Sequence, residues 1–339
     1  FLRPLGLRLY LIDALGAMAF GLFASLLIGT IFGTLGEKTG VVIFTTIAGY
    51  AKSATGAALG VSIAYALKAP TLVLFSAATV GIAGNELGGP VGALVATIIA
   101  AELGKIVSKE TPVDILVTPG VTIISGILAA QFVGPGVSAF MTAFGNLVKT
   151  ATVMQPLFMG ILVSALIGIA LTLPISSAAI CIMLSLDGLA GGAATAGCCA
   201  QMVGFAVLSF CENKWGGLLA QGLGTSMLQM GNIVKNPRIW IAPILTSAIT
   251  GPLATCLFKL QMNGTPVSSG MGTCGFVGQI GVYTGWMNDI AAGTKTAVTG
   301  WDWTGLLLIS FILPAILCPL INMFIRKLGW VKDGDMTLS

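Results

Sequence analysis

The stretch from Ser209 to Trp240, SFCENKWGGLLAQGLGTSMLQMGNIVKNPRIW, carries the densest polar chemistry in a chain otherwise built of apolar residues. Glu212, Asn213 and Lys214 close an apolar run, and a glycine-rich stretch then leads to Asn232 and the basic pair Lys235 and Arg238. If the part beyond Gly217 is helical, Gln221, Thr225, Gln229 and Asn232 fall at spacings of four, four and three and form one polar stripe. Beside lipid such a stripe must face a cavity or another helix, where a carboxylate, amides and a hydroxyl can hydrogen-bond the hydroxyls of a sugar-like ligand. The other reading puts Glu212 and Lys214 in an aqueous loop and leaves the stripe as glue between helices.

Two further clusters offer the same non-covalent chemistry. In MNGTPVSSGMGTCGFVGQIG, Met262 to Gly281, the groups of Asn263, Thr265, Ser268, Ser269, Thr273 and Gln279 alternate with glycines around Pro266. No regular spanning helix fits there, so the segment reads either as a re-entrant loop aimed at a ligand or as a turn exposed to water. In LTLPISSAAICIML, Leu171 to Leu184, an apolar run breaks at Pro174 and supplies Ser176 and Ser177, which either meet a ligand or repair the broken backbone. The expected substrate contacts are therefore Glu212, Asn213, Thr225, Gln229, Asn232, Thr265, Ser268, Ser269, Ser176 and Ser177. Asn85 and Glu86, just before Gly88, Gly89 and Pro90, read as a solvated turn with the proline opening the next helix. Glu102 and Lys105, three apart, suit a surface pair.

Much covalent chemistry is excluded. The chain has no histidine, which removes a phosphohistidine, a Ser-His triad and an imidazole proton relay. Its 7 cysteines lie in apolar surroundings without a CxxC pair, so they read as small buried hydrophobes rather than zinc ligands. No catalytic residue, cofactor or metal is expected.

The elements that must carry these groups are membrane helices. Hydrophobic residues make up 56% of the 339 and charged residues 8%, whereas a water-facing surface needs about 25% charged residues. Apolar runs such as Leu9 to Phe32, Val91 to Ile106, Leu157 to Leu173 and Leu306 to Ile325 approach the ~20 residues that cross a bilayer. Arg3 and Arg8 precede the first run, and Arg326, Lys327 and Lys332 follow the last, so both termini are expected in the cytoplasm. Turns are expected at Glu37/Lys38, Lys68, Asn85/Glu86 and Lys105/Lys109, while Val137 to Thr150 suits a helix lying along the interface. The 46 glycines include small-xxx-small pairs, Gly84/Gly88, Gly188/Gly192 and Gly281/Gly285, that suit close helix packing. The expected fold is all-α: a polytopic membrane protein of about 8–10 transmembrane helices plus re-entrant hairpins. It forms a single membrane-embedded domain over 1–339, with the site within 171–283 and no room for a soluble domain.

The pieces GGPVGALVATIIAAELGK, ETPVDILVTPGVTIISG, ENKWGGLLAQGLGTSMLQMGNIVKNPRIW and NGTPVSSGMGTCGFVGQIG, in that order, resemble the membrane-embedded IIC subunits of bacterial sugar phosphotransferase systems. Within that family the resemblance is to the perfringolysin-regulator-like branch, over roughly Ala83 to Tyr283. It implies an elevator-type homodimer in the bacterial cell membrane, each protomer having a scaffold part and a mobile transport part. It also implies that Glu212, followed by Pro237 and Arg238, is the counterpart of the family's sugar-binding acid, although Ser209, Phe210 and Cys211 depart from the motif before it. The chain carries neither a IIA nor a IIB domain nor a Cys-x-Thr-Arg-like loop, so phosphoryl transfer would require separate soluble phosphotransferase proteins. The expected partners are thus a small polar solute, the lipid bilayer, a second copy of the chain and those soluble proteins, with no nucleic acid. Transport of a sugar or sugar-like solute is the expected function; the alternative is a membrane-bound regulator or sensor that retains the transporter fold.

Overall fold

A computed structural model describes residues 10, 13–152, 154–264 and 266–338. Among these residues there are helices and no strand, and six helices are long and apolar enough to cross a membrane: Ala14–Glu37, Thr71–Val107, Asp114–Thr152, Gly188–Leu208, Pro237–Leu257 and Gly300–Lys327. Thr55–Ala66 and Pro156–Thr172 are shorter apolar helices. The chain is an all-α, multi-pass membrane protein. It divides into two compact units, residues 1–142 and 143–339.

In the first unit α1 (Ala14–Leu22) and α2 (Ile28–Thr39) turn at Gly40, whose φ of 70° is easy only for glycine. The chain returns through α3 (Val42–Ser53) and α4 (Thr55–Ala66) and turns again at Lys68. Helix α5 (Thr71–Val107) is in fact two antiparallel arms, because Gly88 and Gly89 leave helical geometry (φ −146° and 60°) and Pro90 starts the return. A Cβ on Gly84 would lie 2.6 Å from the Cα of Ala93, so the arms touch backbone to backbone next to the reversal. The turns expected at Glu37/Lys38, Lys68, Asn85/Glu86 and Lys105/Lys109 thus fall at chain reversals, and Lys105 pairs with Glu102 at 2.7 Å. Arg3 and Arg8 lie outside the described residues. Val137 to Thr150 is not a separate helix: it continues α6 (Asp114–Thr152), which runs 39 residues through Pro119 and Pro135.

The second unit is built round α9 (Gly188–Leu208), whose buried residues include Gly191, Gly192, Ala193, Ala194, Ala196, Gly197 and Ala200. Lipid supplies no hydrophobic drive between helices, so association depends on close packing, which small side chains permit. Helix α7 (Pro156–Thr172) accordingly lies so near that a Cβ on Gly168 would sit 2.9 Å from the Gly197 carbonyl. Between α7 and α9 the chain forms the short α8 (Ser177–Met183). Beyond α9 come α10 (Phe210–Leu219), α11 (Met230–Lys235), α12 (Ile241–Pro252), α13 (Pro266–Ser269), α14 (Val277–Ala291), α15 (Gly300–Leu307) and α16 (Leu313–Lys327). Gly192 is pressed against the Leu260 carbonyl, Gly281 against Ser268 and Gly285 against Asn263, as small-xxx-small packing requires. Gly188 differs: its φ is 55° with open space beside it, so it serves a turn. Cys211 and Cys256 are also exceptions to the expected burial, being exposed on the outer faces of their segments, while the other five cysteines are buried.

Helix α9, about 31 Å long at 1.5 Å per residue, defines two ends of this unit. At its start Gly188 and Met262 exchange two backbone hydrogen bonds (3.1 and 2.9 Å), and the long spans Pro237–Leu257 and Gly300–Lys327 have their Leu257 and Gly300 termini there. This Gly188 end is the far end; at the other, the tail end, lie Ser209, Pro237, Arg326 and the segment that follows α16.

Gly60 on α4 sits on the Ala77 carbonyl and 3.0 Å from the Cα of Gly81 on α5, so a larger residue must force backbones apart. Gly60→Leu should lower stability by about 2 kcal/mol or more, as overpacking does. Gly49→Ala, where nothing lies within 4 Å, should be neutral or stabilising by roughly 0.5–1 kcal/mol. Thermal unfolding in detergent measures both; equal melting temperatures for Gly60→Leu and the parent would contradict the packing described.

Candidate functional site

The expected site residues occupy two places in the second unit. The first is near the middle of α9, where the segment broken at Pro174 meets the segment after Met262. The Ser177 hydroxyl donates to the Gly270 carbonyl (2.7 Å) and the Ser269 hydroxyl to the Leu186 carbonyl (2.8 Å), so each serine is spent joining one interrupted segment to the other. Ser176 caps α8 by accepting from the amide of Ala179 (3.1 Å). Ser268 is buried beside Gly281. Thr265 lies outside the described residues. The second segment stays irregular because Gly272, Gly275 and Phe276 all take left-handed geometry (φ 53°, 49° and 58°), which lets Gly272 lie on the backbone of Cys198 in α9.

Polar atoms turned toward this junction are nearly all satisfied, as low-dielectric burial demands. Thr273 donates to the Gly222 carbonyl, which ties the junction to the glycine-rich stretch. The amide of Gln279 donates to the sulfur of Cys199 (3.3 Å), while its Oε1, buried, meets no donor among the described residues.

The second place is the tail end. There is no continuous helix after Gly217: α10 passes into a π-helical turn at Ala220–Gly224, Thr225 is extended (φ −159°, ψ 141°), and a 3-10 turn at Ser226–Gln229 leads into α11. The expected helical stripe is therefore corrected. Glycines at 222 and 224 weaken the helix, and Thr225 uses its hydroxyl to cap the next turn by accepting from Met227 (3.2 Å). The amides nevertheless come together through the fold-back. Gln229 donates to Gln221 (2.9 Å), Asn232 donates to Gln229 (2.8 Å), and Gln221 donates to Ser209 (2.8 Å).

Glu212 and Asn213 stand beside this chain of amides, just before Lys214, whose φ of 51° breaks α10. Their partners, and those of Gln229 and Asn232, are in the segment that follows α16. Glu212 accepts from the backbone amides of Gly334 (3.0 Å) and Met336 (2.9 Å), and Arg326 lies 3.8 Å away. Asn213 donates to the Met336 carbonyl and accepts from the Leu338 amide, both at 2.8 Å. Gln229 donates to the Met336 carbonyl and Asn232 to that of Thr337, both at 2.9 Å. The two places are not one shell: Ser177 and Ser269 bond to the interrupted segments, and Glu212 bonds to the segment after α16.

Two features escaped the reading of the sequence. Gln201, wholly buried in α9, accepts from the Trp240 indole (2.8 Å) and Thr172 (3.2 Å), and Thr172 also bonds Ser226 (2.8 Å). An amide alone in CCAQMVGF was the signal. At the far end lies a pocket of about 410 Å³ lined by Lys259, Gln261, Asn263, Asp289, Lys295 and Asp302, with Phe258 and Trp286 as apolar wall. Asn263 donates to both carboxylate oxygens of Asp289 (3.0 and 2.9 Å). Lys295 bonds Asp302 at 2.7 Å and lies 5.7 Å from the Trp286 ring centroid. These residues are dispersed over 259–302, so no local pattern marks them.

No curated protein and no solved structure matches the chain. Residues 12–338 match the family described as phosphotransferase system, EIIC. The chain therefore belongs to the phosphotransferase-system EIIC family, the membrane components of sugar transport.

Proposed function

We propose that this chain translocates an uncharged, hydroxyl-rich solute, a sugar or a polyol, by alternating access. The observation that carries the reading is the junction of two interrupted segments at the middle of α9, with a buried Gln279 oxygen that lacks a donor. A buried acceptor left without a partner costs about 1–3 kcal/mol, and a solute hydroxyl would supply the missing donor. Irregular backbone at membrane depth is tolerated where it lines a cavity, and the far-end pocket gives a solute a polar way in. Its acids and lysines balance in sign, and its donors and acceptors beside an aromatic wall suit a neutral polyhydroxy compound better than an ion.

The chain then works as a homodimer in the bacterial cell membrane, with its termini in the cytoplasm. The region 171–283 carries the solute as part of an elevator, with scaffold and transport parts intermixed along the chain. Any phosphorylation of the solute belongs to soluble partner proteins. The regulator reading shares the binding step and lacks the flux.

Two measurements test this. Thermal unfolding of the detergent-purified protein should respond to D-glucose, D-galactose or D-mannitol and not to small organic acids such as citrate. Saturation to about ten times Kd should stabilise the folded state by about 1.4 kcal/mol. Uptake of the stabilising compound into proteoliposomes should follow; binding without uptake would favour the regulator, and no response from folded protein would remove the sugar or polyol reading. Gln279→Leu deletes an acceptor that has no partner and one weak bond to the Cys199 sulfur, so the fold should lose under about 1.5 kcal/mol, as for a volume-conserving swap, while solute affinity falls roughly tenfold, the worth of one hydrogen bond. A large loss of stability with unchanged affinity would make Gln279 structural.

A further inference from the structure

Residues 329–338 contain turns and no helix, yet Val331 and Met336 are buried, Met336 completely. What holds this strap is side-chain hydrogen bonding to its main chain. Besides the bonds from Glu212, Asn213, Gln229 and Asn232, the Asn236 amide donates to the Trp330 carbonyl (3.0 Å) and to Asp335 (2.9 Å). Arg326 joins Asp333 on the strap to Glu212, and the Arg238 guanidinium lies 5.3 Å from the Trp330 ring centroid.

The apolar contribution comes from Val331 and Met336 alone, while a carboxylate and four amides, those of Asn213, Gln229, Asn232 and Asn236, are committed to backbone N–H and C=O groups. Those side chains, an acceptor pair from Glu212 beside Asn213, Gln229 and Asn232, present the alternating donors and acceptors that vicinal hydroxyls also satisfy. Gln229 is completely buried beneath the strap.

We infer that the 329–338 strap is a displaceable plug: it fills the Glu212–Asn213–Gln229–Asn232 cluster in place of solute, and the tail end opens only when the strap leaves. The pocket of about 410 Å³ lies at the far end, away from the strap, so the plug concerns the tail end alone. This inference rests on the transport reading for its purpose, but the occlusion itself is measurable without any solute.

Met336→Asp removes the buried anchor and puts a carboxylate beside Glu212; Met336→Ser is the milder version should the first fold poorly. In full-length protein, hydrogen–deuterium exchange of peptides covering 329–338 should rise at least about tenfold in either variant, because Gly334, Met336 and Leu338 lose the acceptors that protect their amides. The thiol of Gln229→Cys, followed by mass spectrometry of its peptide, should react with a charged methanethiosulfonate about tenfold faster once Met336→Asp is added. Unchanged exchange in both variants would mean that the strap is a fixed anchor and would overturn the inference. So would released exchange with an unchanged thiol rate. A faster thiol rate with no sugar or polyol bound by any form would leave the plug standing and overturn the transport reading instead.

Discussion

Gln201 is wholly buried in a helix rich in alanine and glycine, and a buried amide must be hydrogen-bonded or pay its desolvation. Its partners come from Trp240, at the start of the Pro237–Leu257 span, from Thr172 at the end of α7, and from Ser247 in α12 at 3.4 Å. Thr172 in turn holds Ser226, in the fold-back that carries Gln229 and Asn232. One side chain thereby ties two neighbouring elements, α7 and the Pro237–Leu257 span, to α9, and through Thr172 the fold-back as well. In a low-dielectric interior these bonds also strengthen one another, so the web specifies one arrangement where apolar surfaces alone would tolerate sliding.

The same constraint explains why the second unit accommodates broken backbone. With the solvent apolar on the outside, helices gain by close contact of small residues, and α9 is small enough along its length for neighbours to reach its backbone. Gly272 can lie on Cys198 and Leu260 on Gly192 only because neither glycine has a side chain. The carbonyls of Gly270 and Leu186, left outside regular helix, are then met by Ser177 and Ser269 rather than by water. The interrupted segments are thereby tied to each other and to α9.

Much of this was legible in the residues. The all-helical membrane class followed from the scarcity of charge, and the reversal at Gly88–Gly89 from two glycines before a proline. The pairing of the serines near 177 and 269 was not, although both segments were singled out, because sequence shows where a helix breaks and not what the break faces. The polar stripe failed as a helix and survived as a set of bonded amides, since spacing assumed a continuity that Thr225 and its flanking glycines interrupt. The role of 329–338 was hidden for a different reason: its partners recognise main chain, and main-chain recognition leaves little signature in side-chain type. Met336 and Val331 mark it, apolar residues on either side of Lys332, Asp333, Gly334 and Asp335.

A strap held through its main chain also has energetics suited to exchange. A typical hydrogen bond contributes about 0.5–1.5 kcal/mol net, and bonds to a charged group such as Glu212 somewhat more. The entropy lost in ordering the strap opposes these bonds, so the attachment also draws on the burial of Met336 and Val331. Tethering compensates by presenting the strap at an effective concentration in the millimolar range. A solute that meets the same acceptors and donors competes on comparable terms once its own local concentration reaches that range. The end of the path beneath the strap would then be governed by how much solute has arrived, and the hydrogen-bonding groups that recognise the cargo would be the same groups that keep the exit shut in its absence.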